Sequence, residues 1–147
     1  MPKKPTKKRK SSAIAKADYE QLAAFRNALR EFLHFSEQAA IAAGVRPQQH
    51  QALLVICGTP GRDSITVGEL AAQLKIRHHS AVGLVNRMEA EGLITKSHGP
   101  LDRRQVLIRI TPRGMRTLEK LSAAHKAELV RIGPVIRKIF KRLKTVH

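Results

Sequence analysis

The chain has no tryptophan, one tyrosine and one cysteine, and only 3% of its 147 residues are aromatic. A single thiol, Cys57, excludes an internal disulfide and fits a reducing compartment. Its surroundings, "LLVICGTP", hold neither a base nor a resolving thiol, so Cys57 reads as a small buried apolar side chain. The scarcity of aromatics argues against the stacking platforms of RNA-binding modules. No apolar run approaches the ~18 residues a membrane span requires. Lys16, Asp18 and Glu20 interrupt anything resembling a signal-peptide core, so the expected location is cytoplasmic, with no membrane partner.

Acid is the other shortage. Eleven Asp and Glu stand against 28 Lys and Arg, a formal charge of +17. A surplus of that size points to a polyanion, and nucleic acid suits it best. The seven histidines are scattered and the acids few. No nucleophile elbow, phosphate-cradling glycine loop or metal pair appears. The chain therefore reads as a binding protein rather than an enzyme, with no cofactor and no metal site.

The charge is unevenly spread. "MPKKPTKKRKSS" (1–12) carries six bases and no acid, and is expected to be a disordered basic tail. The remainder still holds +11, so residues 13–147, read as a single domain, are basic in their own right. "VRIGPVIRKIFKRLKTVH" at the other end carries six more bases, again without acid.

Apolar spacing predicts a helix over about 17–43, with Leu22, Phe25, Leu29, Phe32 and Ser36 on one stripe and Gly44 closing it. Pro47 opens a second helix through "QQHQALLVIC". Thr66 and Glu69 form a capping box before a short helix ending near Leu74. After the turn "KIR", a third helix runs from about His78 to Glu91 and stops at Gly92. Its stripe is Ala81, Leu84, Val85 and Met88, at i, i+3, i+4 and i+7. The opposite face carries His79, Gly83, Asn86, Arg87 and Ala90. A short helix, a tight turn and a longer helix with a polar outer face make a helix-turn-helix.

"GPLDRRQVLIRIT" then supplies a turn at Gly99-Pro100, one carboxylate and two adjacent guanidinium groups. "LITKS" (93–97) pairs with "QVLIRI" (105–110) around it. A helix-turn-helix followed by a basic hairpin is a winged helix: one helix enters the major groove, and the hairpin tip brings arginine to a neighbouring narrow groove. Asp102 reads as the group that holds one arginine in place. Thr111 and Pro112 open a last helix. Its stripe of Met115, Leu118, Leu121, His125, Leu129 and Ile132 is broken or kinked at Gly133-Pro134 and resumes at Ile136. His125 reads as a neutral, hydrogen-bonded interface histidine.

"VRPQQHQALLVI", "TVGELAAQLKI", "SAVGLVNRMEAEGLI" and "DRRQVLIRITPRG" together resemble, in that order, the MarR family (multiple antibiotic resistance regulators). The resemblance covers about 17–143. Its most specific parts are the Asp102-Arg103-Arg104 wing with "RITPRG", and Arg87-Met88-Glu89 through Gly92-Leu93. It implies a mainly α protein with a small β-hairpin wing. The winged helix-turn-helix would lie at about 47–112, with N- and C-terminal dimerisation helices at about 17–43 and 112–147. It also implies a homodimeric repressor on a palindromic double-stranded operator, released by a small aromatic or anionic ligand or by oxidation. The residues expected at DNA are Arg77, His78, His79, Ser80, Gly83, Asn86, Arg87, Asp102, Arg103 and Arg104. An effector is expected near Phe32, His50 and Leu54. The rival reading is a non-specific architectural or RNA-binding basic protein.

Overall fold

The computed structural model describes Pro2 and residues 14–144. Apart from Pro2, the expected basic tail lies outside the described residues. In chain order the elements are α1 (Lys16–Ala42), α2 (Pro47–Gly58), β1 (Ser64–Thr66), α3 (Val67–Leu74), α4 (His78–Ala90), β2 (Ile94–His98), β3 (Val106–Ile110) and α5 (Pro112–Lys144).

The helix ends follow from local chemistry. At α1, Gly44 adopts φ +80°, and the Val45 and Gly44 amides donate to the Ala40 and Ile41 carbonyls at 3.1 and 3.0 Å. This closes the helix and folds Val45 into the core. The same two-bond closure ends α4, where Gly92 has φ +74° and Leu93 N–H reaches the Met88 carbonyl at 2.9 Å. Between α3 and α4 the left-handed residue is Lys75, at φ 54°, a conformation that costs a non-glycine residue about 1–2 kcal/mol. The Thr66–Glu69 capping box is in place. Glu69 N–H donates to Thr66 Oγ1 at 3.0 Å, and Thr66 N–H donates to the Glu69 carboxylate at 3.1 Å. Arg62 clamps the same carboxylate. With its guanidinium and the Thr66 amide both bonded to it, the Glu69 carboxyl is held down to about 2.

The sheet has three strands in the order β1-β3-β2, all antiparallel. The hairpin is the expected one, but β1 is an addition: Ile65 pairs with Ile108 across β3, in a stretch read from sequence only as the approach to α3. Leu53, Ile56, Ile65, Leu70, Met88, Ile94 and Ile108 are wholly enclosed and fuse α2, α3, α4 and the sheet into one core.

Two expectations are corrected. Of the break or kink expected at Gly133-Pro134, the break is corrected: helix α5 continues through Pro134, and beyond the proline it stays packed on α1, with Ile139 buried and Phe140 at 5.8 Å from Phe25 between ring centroids. Cys57 is exposed, not buried. The buried side of α2 is Gln49, His50, Ala52, Leu53 and Ile56, and Cys57 lies past it at the helix end.

Candidate nucleic-acid interface

All four residues of the predicted α4 stripe are buried: Ala81, Leu84, Val85 and Met88. That burial fixes the rotation of the helix. His78, His79, Ser80, Gly83, Asn86, Arg87 and Ala90 are consequently exposed. Arg77 is the N-cap, and its side chain makes no capping bond. With no acid in the first turn either, the positive end of the α4 dipole is left uncompensated. At Gly83 a Cβ would meet nothing within 4 Å, so packing inside this chain does not require a glycine there.

The wing is a closed turn. Gly99 N–H donates to the Gln105 carbonyl at 3.0 Å, and Gln105 N–H to the Asp102 carbonyl at 3.1 Å. A Cβ on Gly99 would press to 2.9 Å on that Asp102 oxygen. Asp102 Oδ1 accepts from the Arg104 amide at 3.0 Å and from Arg104 Nε at 3.3 Å. One carboxylate oxygen thus sets both the backbone and the side chain of Arg104, whose side chain is 92% exposed. The Arg103 carbonyl meets His98 Nδ1 at 2.8 Å. Between wing and helix-turn-helix lies a cleft of about 240 Å³ that His78 and Arg104 both line, with Thr66, Gly68 and Val82. The two halves of the expected DNA surface therefore meet.

The expected effector residues also converge. Phe32, His50 and Leu54 line one cavity of about 580 Å³, together with His125, Lys126 and Arg137. His125 sits at its back. Its Nδ1 lies 2.6 Å from the Leu121 carbonyl, which accepts only, so Nδ1 carries a proton there, and its Nε2 lies 2.7 Å from Ser36 Oγ. Both of these partners lie in its own chain. The His50 ring lies 4.7 Å from His125. Burial first, then the proximity of His125, lowers the pKa of His50 below 6.5.

Three features had no sequence signal. Gln49 is buried, donates to Glu91 at 2.9 Å and accepts the Arg46 amide at 3.0 Å, tying the start of α2 to the end of α4. Ser36 holds His125. Lys96, on β2, reaches across to Asn86 and Glu89 of α4. Apart from the Arg46–Gln49 bond, three residues apart, these contacts join different elements, which no local periodicity reveals. Among the described residues no cluster of three or more His, Cys, Asp or Glu is placed to hold a metal ion. Nor is any described helix long and apolar enough to cross a membrane.

A helix-turn-helix closed by a three-stranded sheet and flanked by two long helices defines a winged-helix protein. A model of the MarR family matches residues 43–105. A Thauera aromatica protein assigned to transcriptional regulation of the hcr operon is 32% identical over 99 residues, 67% of this chain and 58% of that one. The match thus spans little more than half of that relative. Rhodococcus jostii RHA1 CouR, solved bound to p-coumaroyl-CoA, superposes with a TM-score of 0.68 at 22% identity, covering 90% of this chain and 95% of that one. An S. aureus MepR variant bound to an oligodeoxyribonucleotide gives 0.65 at 18% identity, covering 88% and 98%. The chain thus matches the MarR family over residues 43–105 and shares the fold of solved MarR-family structures.

Proposed function

We propose that this chain is a sequence-specific, homodimeric transcriptional repressor that binds a palindromic operator and releases it when a small anionic aromatic ligand enters the cavity at Phe32. The observation that carries the reading is the basic surface shared by α4 and the wing, where His78 and an Asp102-held Arg104 line one cleft. Arg77, His78, His79, Ser80, Asn86 and Arg87 would meet the major groove, and Arg103 and Arg104 the adjacent narrow groove. The open space at Gly83 would let α4 lie close to base edges. MepR, a structural neighbour, is solved on DNA.

Dimerisation is supported by apolar side chains that α1 and α5 leave wet. Leu22, Leu33, Leu129 and Phe140 are each about half exposed, and Val130 is 71% exposed. A second copy would cover them, which makes 17–43 and 112–147 dimerisation helices around a winged core at 47–112. In the cavity, Phe32 and Leu54 offer an apolar wall while Lys126 and Arg137 offer charge to an anion. CouR, of the same fold, is solved with an aromatic thioester.

Selection of bound sequences from a randomised duplex library tests the reading. Enrichment of an inverted repeat, together with a dimer mass by light scattering, supports it. Uniform retention of every duplex would favour the non-specific architectural reading, and preference for RNA the other rival. Leu129→Glu should split the dimer or unfold the chain, and a dimer unaffected by it would remove the assigned interface.

A further inference from the structure

We infer that Lys96, outside the recognition helix, sets which base the recognition helix reads, by pinning the Asn86 oxygen so that the amide presents its NH2 group and favours guanine over adenine. The inference rests on the DNA-binding reading above. Lys96 projects from β2 with Nζ 2.6 Å from Asn86 Oδ1 and 3.5 Å from Glu89 Oε1. An ammonium has three donors and no acceptor. The amide can therefore face it only through oxygen, which settles the orientation of Asn86 by chemistry alone. Its NH2 group has no partner among the described residues and lies on the exposed face of α4.

An asparagine that reads adenine uses both ends of its amide, accepting from N6–H and donating to N7. Here the accepting end is engaged by a cation. Opposite adenine, the outward NH2 group could donate to N7 but would meet N6–H as donor against donor. Opposite guanine, whose N7 and O6 both accept, the same NH2 group is matched. Lys96 has a second effect. Glu89 is three residues along the same helix face with its side chain 43% exposed, and its carboxylate would repel phosphate were the ammonium not beside it. Lys96 is thus a positioning residue, with Asn86 as the reader.

The test is selection from a randomised duplex library with the full chain and its Lys96→Met, Lys96→Arg, Asn86→Ala and doubly substituted variants. The unaltered protein should enrich guanine at one position of each half-site. Lys96→Met frees the amide oxygen and should cut discrimination against adenine there by about tenfold, within what one base contact supplies. Lys96→Arg should keep the guanine. Asn86→Ala should lose preference at that same position, and adding Lys96→Met to it should change nothing further there. The inference is overturned if Lys96→Met leaves the guanine preference intact, or alters only positions to which Asn86→Ala is indifferent. If the unaltered chain enriches no sequence at all, the operator reading itself falls, an outcome distinct from either.

Discussion

Removing Asp102 separates two accounts of the wing, because charge and geometry predict opposite signs. The carboxylate is an anion on a surface proposed to meet phosphate. In a pure charge account Asp102→Ala relieves a repulsion of about 0.5 kcal/mol, for unit charges roughly 8 Å apart in water. Operator binding would then tighten about twofold at low salt and converge with the unaltered protein as salt rises. The structure argues otherwise. Asp102 Oδ1 holds the Arg104 amide at 3.0 Å and Nε at 3.3 Å. Without it, Arg104 must be ordered when DNA binds, a cost of about 0.5–1.5 kcal/mol for a rotamer-rich side chain. The turn also loses its internal acceptor for that amide.

The expected net effect is weaker binding, by up to about fivefold, given that ordering cost less the relieved repulsion. The loss should grow as salt screens the compensating charge term. Arg104→Ala should cost more, about 1–3 kcal/mol for a guanidinium contact. Neither change should move the melting temperature much, since a pair 92% and 43% exposed adds only about 0–1 kcal/mol to stability. The assay is titration of one selected operator by each variant at two salt concentrations, with thermal melts as the folding control. Tighter binding by Asp102→Ala at low salt would refute the organising role. If Arg104→Ala and Arg103→Ala were both silent, the wing would have no part in binding.

Three further outcomes are expected. Gly114→Ala should destabilise the fold by about 2–3 kcal/mol through overpacking, because its Cβ would overlap the Leu93 carbonyl oxygen and press on Ile110; a denaturant midpoint equal to that of the unaltered chain would contradict the packing described. Below the ordinary imidazole range near 6.5 the unfolded chain takes up a proton that buried His50 resists. Stability should therefore be full above that value and fall as pH drops toward the lowered folded pKa. His50→Gln should flatten that part of the pH profile, and an unchanged profile would assign the dependence to another group. Deleting residues 1–12 should flatten the slope of log affinity against log salt while leaving sequence preference intact; a changed preference with an unchanged slope would mean the tail reads sequence.

What the sequence made legible was what depends on near neighbours along the chain. The four apolar positions of α4 fixed its rotation, and with it which residues face outward. Thr66 with Glu69, Gly44 and Gly92 marked helix ends because capping is a transaction between residues three to five apart. The hairpin followed from alternation around a Gly-Pro turn. Strand β1 escaped because three residues carry no period; Ser64–Thr66 is a strand only because Ile65 meets Ile108, more than forty positions away. Pro134 looked like a break because proline removes a donor and crowds the preceding turn. Packing of Ile139 and Phe140 against α1 outweighs that local cost. Cys57 was misplaced for a related reason: burial follows the rotation of α2, not residue type. The candidate site divides along the same line. Its members were readable singly, as exposed donors on a helix or cations on a turn. Their pairings were not, because Lys96 with Asn86 and His50 with His125 are set by how the sheet and α5 pack against the helices. Recognition and release would depend on those pairings, so the least legible contacts are the ones most informative to substitute.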